Sequence, residues 1–235
     1  MITIDFNRLP IVAGSRILDV GCGEGRHTGE AVRFENVFVI GTDIEYDHVI
    51  KTRNRLKLHE TLGSIRGLWG LAVSDIHCLP FPDRSFDIVI CSEVLEHVKN
   101  PNRAIKELSR VLKPQKVLGI SVPRYLPERI CWALSDRYHS THNGHVRIYK
   151  KEKLVSLLEY HRFKLLGCHY AHSLHSPYWW LKCALGLSSD NCSLLKGYHR
   201  LLVWDIMKRP WITQFVDRLL NPVLGKSIAL YFQKN

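Results

Sequence analysis

Glycines and a carboxylate near the N-terminus form the pattern with the clearest chemistry. Residues 17–25 read Ile-Leu-Asp-Val-Gly-Cys-Gly-Glu-Gly, so that Asp19 comes two positions before the turn formed by Gly21, Gly23 and Gly25. Glycines allow a sharp backbone turn and the close approach of a ligand where a Cβ atom would intrude. The sequence therefore predicts a nucleotide-binding turn that follows a buried strand.

The spacing after this turn argues against a dinucleotide. A dehydrogenase fingerprint needs a third glycine three residues after the second, and Arg26 stands there instead. The Asp19 carboxylate would also repel a pyrophosphate, whereas it suits a ligand with a cationic amino-acid end. We therefore favour S-adenosylmethionine over nicotinamide, although an NAD-dependent oxidoreductase stays open as an alternative.

Two further acids follow the next two predicted strands. Asp43 comes 18 residues after Gly25, at the end of an apolar run, where an acid can accept both hydroxyls of an adenosine ribose. Asp75 is expected to close a third short strand and to bind the exocyclic amine of adenine, with Ile76 packed on the ring. Each acid alone is more commonly a solvated loop residue or a helix cap, so the prediction depends on all three occurring in this order.

Strands and helices must alternate to bring these residues together. The pattern predicts a parallel sheet with right-handed crossovers and helices on both faces. Beyond the first three strands, the sequence predicts strands at residues 86–92, 116–122, 163–170 and 227–233, and helices at residues 26–34, 47–60, 102–112 and 150–161.

At this point the chain resembles the class I S-adenosylmethionine-dependent methyltransferases, particularly the small-molecule group related to the quinone-biosynthesis (type 11) enzymes. The resemblance is close over residues 15–122 and rests on several short motifs. They are Leu18-Asp19-Val20-Gly21-Cys22-Gly23-Glu24-Gly25, Gly41-Thr42-Asp43, Leu79-Pro80-Phe81, Ser85-Phe86-Asp87-Ile88-Val89, Glu93-Val94-Leu95-Glu96-His97-Val98 and Leu112-Lys113-Pro114. Such enzymes have an α/β, Rossmann-like, doubly wound sheet of seven strands whose last strand is antiparallel.

The resemblance also implies roles for individual residues. Asp19 and the three glycines would hold the methionine part of the cofactor, Asp43 the ribose, and Asp75 with Ile76 the adenine. Cys91, Ser92 and Glu93 would line the site beside the methyl donor. The cofactor expected is S-adenosyl-L-methionine.

The length of the chain fits one domain, and its charge is concentrated in the C-terminal half. A chain of 235 residues fits one domain, 1–235, with a cofactor-binding core at 15–122, a lid at 123–147 and a helical cap insertion at 174–224. Residues 1–120 carry a net charge of +1, whereas residues 121–235 carry +10. Five tryptophans accompany this positive charge, which is typical of a protein that contacts nucleic acid, an anionic membrane or an amphiphile, although buried tryptophans and solvated lysines would give the same composition.

Methyl transfer to a hydroxyl needs a base, and histidine suits this role. The candidates are His97 and a trio on the predicted lid, of which His145 and His142 are favoured over His139. The trio could instead bind a metal, but no carboxylate lies near it in the sequence except Asp136. We therefore predict that no metal is bound.

The function predicted is methylation, at oxygen, of a small or amphiphilic metabolite such as a quinone precursor, glycolipid or sugar. An RNA base as acceptor is disfavoured because Cys91-Ser92-Glu93-Val94 stands where the base-stacking tetrad would be, although ribose methylation stays open. A catalytically silent S-adenosylmethionine-binding partner protein is the alternative from another class.

Seven cysteines without a Cys-x-x-Cys pair, and no signal peptide pattern, favour a cytoplasmic protein that could associate with a membrane.

Overall fold

The structure is a computed structural model that describes residues 1–135, 138, 145–186, 192–208 and 210–235. A single sheet of seven strands runs through it in the order β3-β2-β1-β4-β5-β7-β6. The strands are β1 (Arg16–Val20), β2 (Phe38–Asp43), β3 (Leu68–Val73), β4 (Phe86–Ser92), β5 (Leu112–Pro123), β6 (Phe163–Ala171) and β7 (Ser227–Lys234).

Strands β1 to β5 pair in parallel, and β7 is antiparallel to both β5 and β6. The central strands β1 and β4 are mainly apolar, with Arg16, Asp19 and Asp87 as their charged residues, because packed layers cover both of their faces. This arrangement confirms the predicted seven-stranded, Rossmann-like fold with an antiparallel last strand.

Helices connect the strands and extend the C-terminal half. A short 3-10 helix, Phe6–Arg8, precedes β1. The α-helices are α1 (Arg26–Ala31), α2 (Tyr46–Thr61), α3 (Pro101–Val111), α4 (Tyr125–Leu134), α5 (Lys151–Tyr160), α6 (His175–Leu185), α7 (Ser193–Lys208) and α8 (Trp211–Leu224). Most predicted boundaries lie within one or two residues of these, but α1 is three residues shorter than predicted and β5 begins four residues earlier, at Leu112.

Successive residues of the strands point to opposite faces and feed two apolar clusters. One cluster contains Leu18 and Val89 and is covered by α3 and α5. The other contains Ile17 and Ile88 and is covered by α1 and the N-terminal segment. The sheet is therefore the middle layer of three, and its strand ends are held between two packed layers.

The N-terminal segment is bound to the edge of this core. The Nε2 atom of His27 accepts hydrogen bonds from the backbone N–H groups of Thr3 (3.1 Å) and Ile4 (3.3 Å). Burial lowers the pKa of His27 to about 3, so the ring is neutral and keeps this acceptor atom at physiological pH. The backbone N–H of Asp5 donates to the Tyr231 hydroxyl at 2.8 Å, which joins the segment to β7.

The additional helices of the C-terminal half pack on one another and on the strand ends. Helix α6 packs against α4, and the indole N–H of Trp180 donates to the Pro127 carbonyl at 3.0 Å. None of the described helices combines the length and hydropathy that crossing a bilayer requires.

Candidate active site

A crevice opens at the carboxyl ends of β1 and β4, where the strand order reverses. Open α/β sheets bind their ligands at this position. Two cavities fill the crevice, one of about 560 Å³ beside β2 and β3 and one of about 290 Å³ beside the N-terminal segment and β7. The two cavities share four lining residues: Gly21, Gly23, His48 and Glu93.

The three glycines of the turn after β1 have different neighbours. All three have φ between 54° and 74°, in the left-handed region. A Cβ atom on Gly21 would lie 2.3 Å from Val94 Cγ2, and one on Gly25 would lie 2.7 Å from Thr52 Cγ2. A Cβ atom on Gly23 would meet no heavy atom within 4 Å, because this residue faces the open crevice. Gly21 and Gly25 therefore let the turn pack, and Gly23 leaves room for a ligand.

Asp19 lies beneath the turn, outside the lining of both cavities. Its side chain is buried, and its Oδ2 atom accepts a hydrogen bond of 2.6 Å from the Thr28 hydroxyl on α1. Burial raises the pKa of the Asp19 carboxyl to about 6. The structure thus shows Asp19 joining β1 to α1, and the predicted contact with the methionine end of a cofactor stays a prediction.

Asp43 lies at the end of β2 and lines the larger cavity. Its Oδ2 atom accepts from the backbone N–H of Gly23 at 2.8 Å, and its Oδ1 atom accepts from Glu45 N–H at 3.0 Å. These bonds fix the carboxylate against the glycine turn. His48 Nδ1 also lies 3.3 Å from Oδ1. An ionised carboxylate has about four acceptor sites, so Asp43 keeps one site for a ribose hydroxyl when His48 Nδ1 carries a proton, and two when it does not.

Asp75 and Ile76 line the far end of the same cavity. They follow β3 by two and three residues, because β3 ends at Val73 and not at Asp75 as the sequence suggested. The Oδ1 atom of Asp75 accepts from the backbone N–H of His77 at 2.8 Å, and this bond holds the pKa of Asp75 below its usual range. The side chain of Ile76 is buried against the core cluster of β1 and β4, which fixes the apolar wall on which an adenine could rest.

Glu93 lies directly after β4 and lines both cavities. Its φ of 56° is uncommon for a residue with a side chain, and such strain concentrates at functional sites. The Ser121 hydroxyl donates to Glu93 Oε1 at 2.8 Å, and burial raises the pKa of Glu93. By contrast, Cys91 is completely buried inside β4, where burial raises the pKa of its thiol, and the structure does not bring it to either cavity.

His145 hydrogen bonds through Nδ1 to the Oε1 atom of Glu128, a buried residue on α4. Burial would raise the pKa of Glu128, but the hydrogen bond and charge of His145 outweigh it, so that the pKa lies below its usual value. In the neutral ring, the proton on Nδ1 is held by the carboxylate, so the opposite nitrogen, Nε2, is the one that can accept a proton. In the sequence Asp136 was the only carboxylate near the histidine trio, and the structure adds Glu128, which contacts His145 in space.

Glu96 is the third acid of this region and is 1% exposed. Neither carboxylate oxygen has a hydrogen-bond partner among the described residues. Burial, followed by the charge of Glu93, raises the pKa of Glu96 well above its usual value, which favours the neutral acid.

Three side chains of this region could hold a cation. Glu96, His97 and His145 each offer one ligand atom, and these three atoms lie within 4.8 Å of one another. The prediction of no metal stays untested.

The other predicted bases differ in what the structure shows of them. His97 lines the larger cavity, and its ring centre is 4.9 Å from that of His145. His142 and His139, like Asp136, lie outside the described residues. Sequence reasoning missed Glu96 and Glu128: Glu96 lies in a motif that was noted only for its resemblance, and a lone acid on α4 gives no signal that it meets His145.

Residues 18–120 match the family described as a methyltransferase domain. This region, which is less than half of the chain, is similar to a methyltransferase domain. The match covers the glycine turn, Asp43, Asp75 and Glu93. The match agrees with the predicted methyltransferase family, and S-adenosyl-L-methionine as the cofactor of this chain stays a prediction.

Several curated methyltransferases are similar to the chain over the same region. A sterol 24-C-methyltransferase of Aspergillus fumigatus is 30% identical over 145 residues, which cover 60% of this chain and 34% of the relative. An O-methyltransferase of Aspergillus nomiae is 31% identical over 114 residues, covering 48% of this chain and 49% of the relative. The chain thus spans about a third to a half of the length of these relatives, and they differ in the atom that their names say is methylated.

Solved structures show the same fold over nearly the whole chain. The cyclase SpnF has a TM-score of 0.62 at 21% identity, covering 97% of this chain and 77% of that one. A methyltransferase of Methanosarcina mazei has a TM-score of 0.60 at 18% identity, covering 95% of this chain and 94% of that one. At such identities the likeness concerns the fold.

Proposed function

We propose that the chain transfers a methyl group from S-adenosylmethionine to a hydroxyl of a small, amphiphilic metabolite. The observation that carries this proposal is the crevice at the strand switch point, where Asp43, Asp75 and Glu93 surround an open glycine turn. In this proposal Asp43 holds the ribose, Asp75 and Ile76 hold the adenine, and the turn holds the methionine part. The acceptor then enters the smaller cavity beside Glu93.

The reaction places few demands on the protein besides position. S-adenosylmethionine supplies a methyl group on a positively charged sulfur. When the acceptor oxygen attacks the methyl carbon, an oxygen–carbon bond forms and the sulfur–carbon bond breaks, which leaves S-adenosylhomocysteine. Holding the two partners in line contributes most of the acceleration. We assign the acceptor's proton to Nε2 of His145, with Glu128 orienting the ring through Nδ1. His145 itself lines neither cavity, and in this proposal the proton reaches it by way of His97, which lines the larger cavity and whose ring centre is 4.9 Å from that of His145.

The C-terminal half supports an amphiphilic acceptor. The relatives include enzymes named for sterols and for 27-O-demethylrifamycin SV. In this proposal residues 123–147 act as a lid and residues 174–224 as a cap, and the basic half of the chain contacts an anionic membrane in which such an acceptor is dissolved.

Two measurements test the proposed activity. Calorimetry with S-adenosylhomocysteine should show binding, and incubation of a cell extract with methyl-labelled donor should yield a labelled metabolite by mass spectrometry. Binding without any labelled product, across extracts that include the membrane fraction, would instead favour a silent cofactor-binding protein. Absence of binding to folded protein would contradict the assigned cofactor site itself.

A further inference from the structure

Helix α8 exposes large apolar side chains that an ordinary surface helix would bury. Its large apolar side chains face solvent, with exposed fractions from 56% to 77%, and none of its residues is buried. These residues form what we call the α8 apolar face: Trp211, Ile212, Phe215, Leu219 and Val223. Their spacing places them on one side of the helix. A surface helix normally buries this side, so the orientation needs a reason.

The opposite side of α8 is held against the protein by polar residues and by the half-buried Val216, Leu220 and Leu224. The Ser173 hydroxyl donates to Asp217 Oδ1 at 2.7 Å, and the Ser173 backbone N–H donates to Asn221 Oδ1 at 3.0 Å. The Gln214 amide donates to Asp205 Oδ1 at 3.3 Å. These contacts together fix which side of α8 faces outward, and the exposure of the apolar face is a consequence of them.

The charged residues of α7 and α8 are also divided between the inner and the exposed sides of these helices. The two acids of α7 and α8, Asp205 and Asp217, are bonded inward, whereas Arg200, Lys208 and Arg218 are exposed. Helix α7 also carries an exposed tryptophan, at position 204, with an exposed fraction of 47%. An exposed apolar face with aromatic side chains and a basic border is the pattern of a helix that lies in a membrane interface.

We infer that the α8 apolar face docks on an anionic lipid surface, with α8 lying parallel to the membrane plane. The net charge of +10 on residues 121–235 complements anionic headgroups, whereas a second copy of the chain would bring like charges together.

The inner side of α8 also lines a cavity of about 440 Å³, through Asp217 and Asn221. This cavity shares Met1, Thr3 and His172 with the smaller cavity of the crevice. Docking would therefore bring lipid close to the proposed acceptor entrance, a point that rests on the proposed function.

Flotation with lipid vesicles tests this inference. The chain should float with phosphatidylcholine vesicles that contain phosphatidylglycerol, and bind much less to phosphatidylcholine alone. The triple variant W211S/F215S/L219S should lower partitioning about tenfold or more, because it removes the inserted side chains. The variant R200E/K208E/R218E should lose the preference for anionic vesicles, and added salt should weaken binding of the original chain.

A matched control distinguishes binding through the α8 apolar face from non-specific binding through any exposed apolar side chain. The variant L58S/L62S/L68S changes three leucines that are equally exposed, on α2, directly after it and at the start of β3, and should float like the original chain. Equal flotation of W211S/F215S/L219S and the original chain would overturn the inference, as would absence of anionic vesicle binding. Light scattering that shows a dimer, converted to a monomer by W211S/F215S/L219S, would assign the face to a second copy instead. Binding of S-adenosylhomocysteine without lipid reports separately on the proposed function and on folding.

Discussion

Glu128 and His145 show what single residues contribute and why the sequence conceals it. They are 17 residues apart and meet only because α4 and the segment that carries His145 fold over the same strand ends. The three histidines from 139 to 145 made His145 a candidate, but no spacing rule links it to an acid on another element. The acids Asp43 and Asp75 were predictable because they follow predicted strands, whose ends meet at one edge of the sheet.

Replacement of His145 tests its assignment as the base. We expect His145→Ala to lower kcat about a hundredfold or more while the KM for S-adenosylmethionine stays unchanged, since general bases contribute about 10²–10⁴-fold. Glu128→Gln should lower kcat less, because the amide oxygen still accepts from Nδ1 but lacks the charge. The control is His161→Ala, which removes a histidine whose ring contacts Asn102 outside the crevice. An increase in KM for the donor with unchanged kcat would contradict the assignment.

Glu96 allows a test by stability against pH. Its folded-state pKa is raised, so the folded state keeps a proton that the unfolded chain loses above its ordinary pKa of about 4.5. The stability of the original chain is therefore reduced as the pH rises above that value, whereas Glu96→Gln cannot titrate. We expect Glu96→Gln to become progressively more stable than the original chain from about pH 5 to 8, measured by urea unfolding with a chelator present.

The same experiment distinguishes a neutral acid from a cation ligand. If added Mg²⁺ or Mn²⁺ made the original chain more stable than Glu96→Gln at about pH 8, and a chelator reversed this, Glu96 would be holding a cation together with His97 and His145. That result would contradict the prediction of no metal.

At the scale of elements, the strands could be predicted and the orientation of α8 could not. The apolar run of β4 around Ile88 is set by burial on both faces, and the predicted limits 86–92 match β4 as observed. Helix α8 has apolar side chains on both sides, so its sequence does not show which side faces inward, and the partners that Asp217 and Asn221 find around Ser173 favour the observed orientation. Such partners become visible only after the chain has folded.

The turn after β1 gives a prediction with a closely matched control. Gly23→Ala should abolish or strongly weaken S-adenosylhomocysteine binding, because its Cβ atom would project into the open crevice. Gly63→Ala is the control, since Gly63 also has positive φ (64°) and open space around its Cβ position but lies outside both cavities. Both variants should lose a similar stability of about 1 kcal/mol from backbone strain. Equal ligand affinity in calorimetry would show that the turn does not contact the cofactor.

The N-terminal segment depends on a histidine that must stay neutral. Burial lowers the pKa of His27 to about 3, so between its ordinary pKa of 6.5 and this value the unfolded chain binds a proton that the folded chain does not. This difference destabilises the folded original chain by about 1.4 kcal/mol for each pH unit below the ordinary pKa. In His27→Gln an amide oxygen can still accept from Thr3 and Ile4, but it does not titrate.

We therefore expect His27→Gln to be less stable than the original chain at about pH 7 and to approach or exceed it at about pH 5 in urea unfolding. The buried Asp19, whose pKa is raised to about 6, titrates in both proteins and cancels in the difference. A stability difference that stays constant across this range would contradict a neutral, buried His27.

At the scale of the whole molecule, the ligand and the fold stabilise each other. The proposed cofactor contacts follow β1, β2, β3 and β4, so binding should oppose global unfolding. Saturation with S-adenosylhomocysteine at about a hundred times its Kd should add roughly 2.7 kcal/mol, which corresponds to an increase in Tm of about 5–10 °C for a domain of this size. Differential scanning fluorimetry measures this shift, and ATP at the same concentration is the control. An equal shift with ATP would indicate a site that recognises adenosine without the methionine part.

The position of β7 between β5 and β6 has a consequence for biosynthesis. Among the described strands, β6 pairs only with β7. It follows β5 along the chain by about forty residues, and β7 comes later still. A nascent chain that has emerged from the ribosome as far as β6 can therefore assemble β1 to β5, but the outer edge of β5 stays uncovered until β7 arrives. An open strand edge invites pairing with other chains. Translation that stalls between β6 and β7 would therefore release an aggregation-prone intermediate. Pairing of β7 with β5 and β6 is the step that completes the sheet.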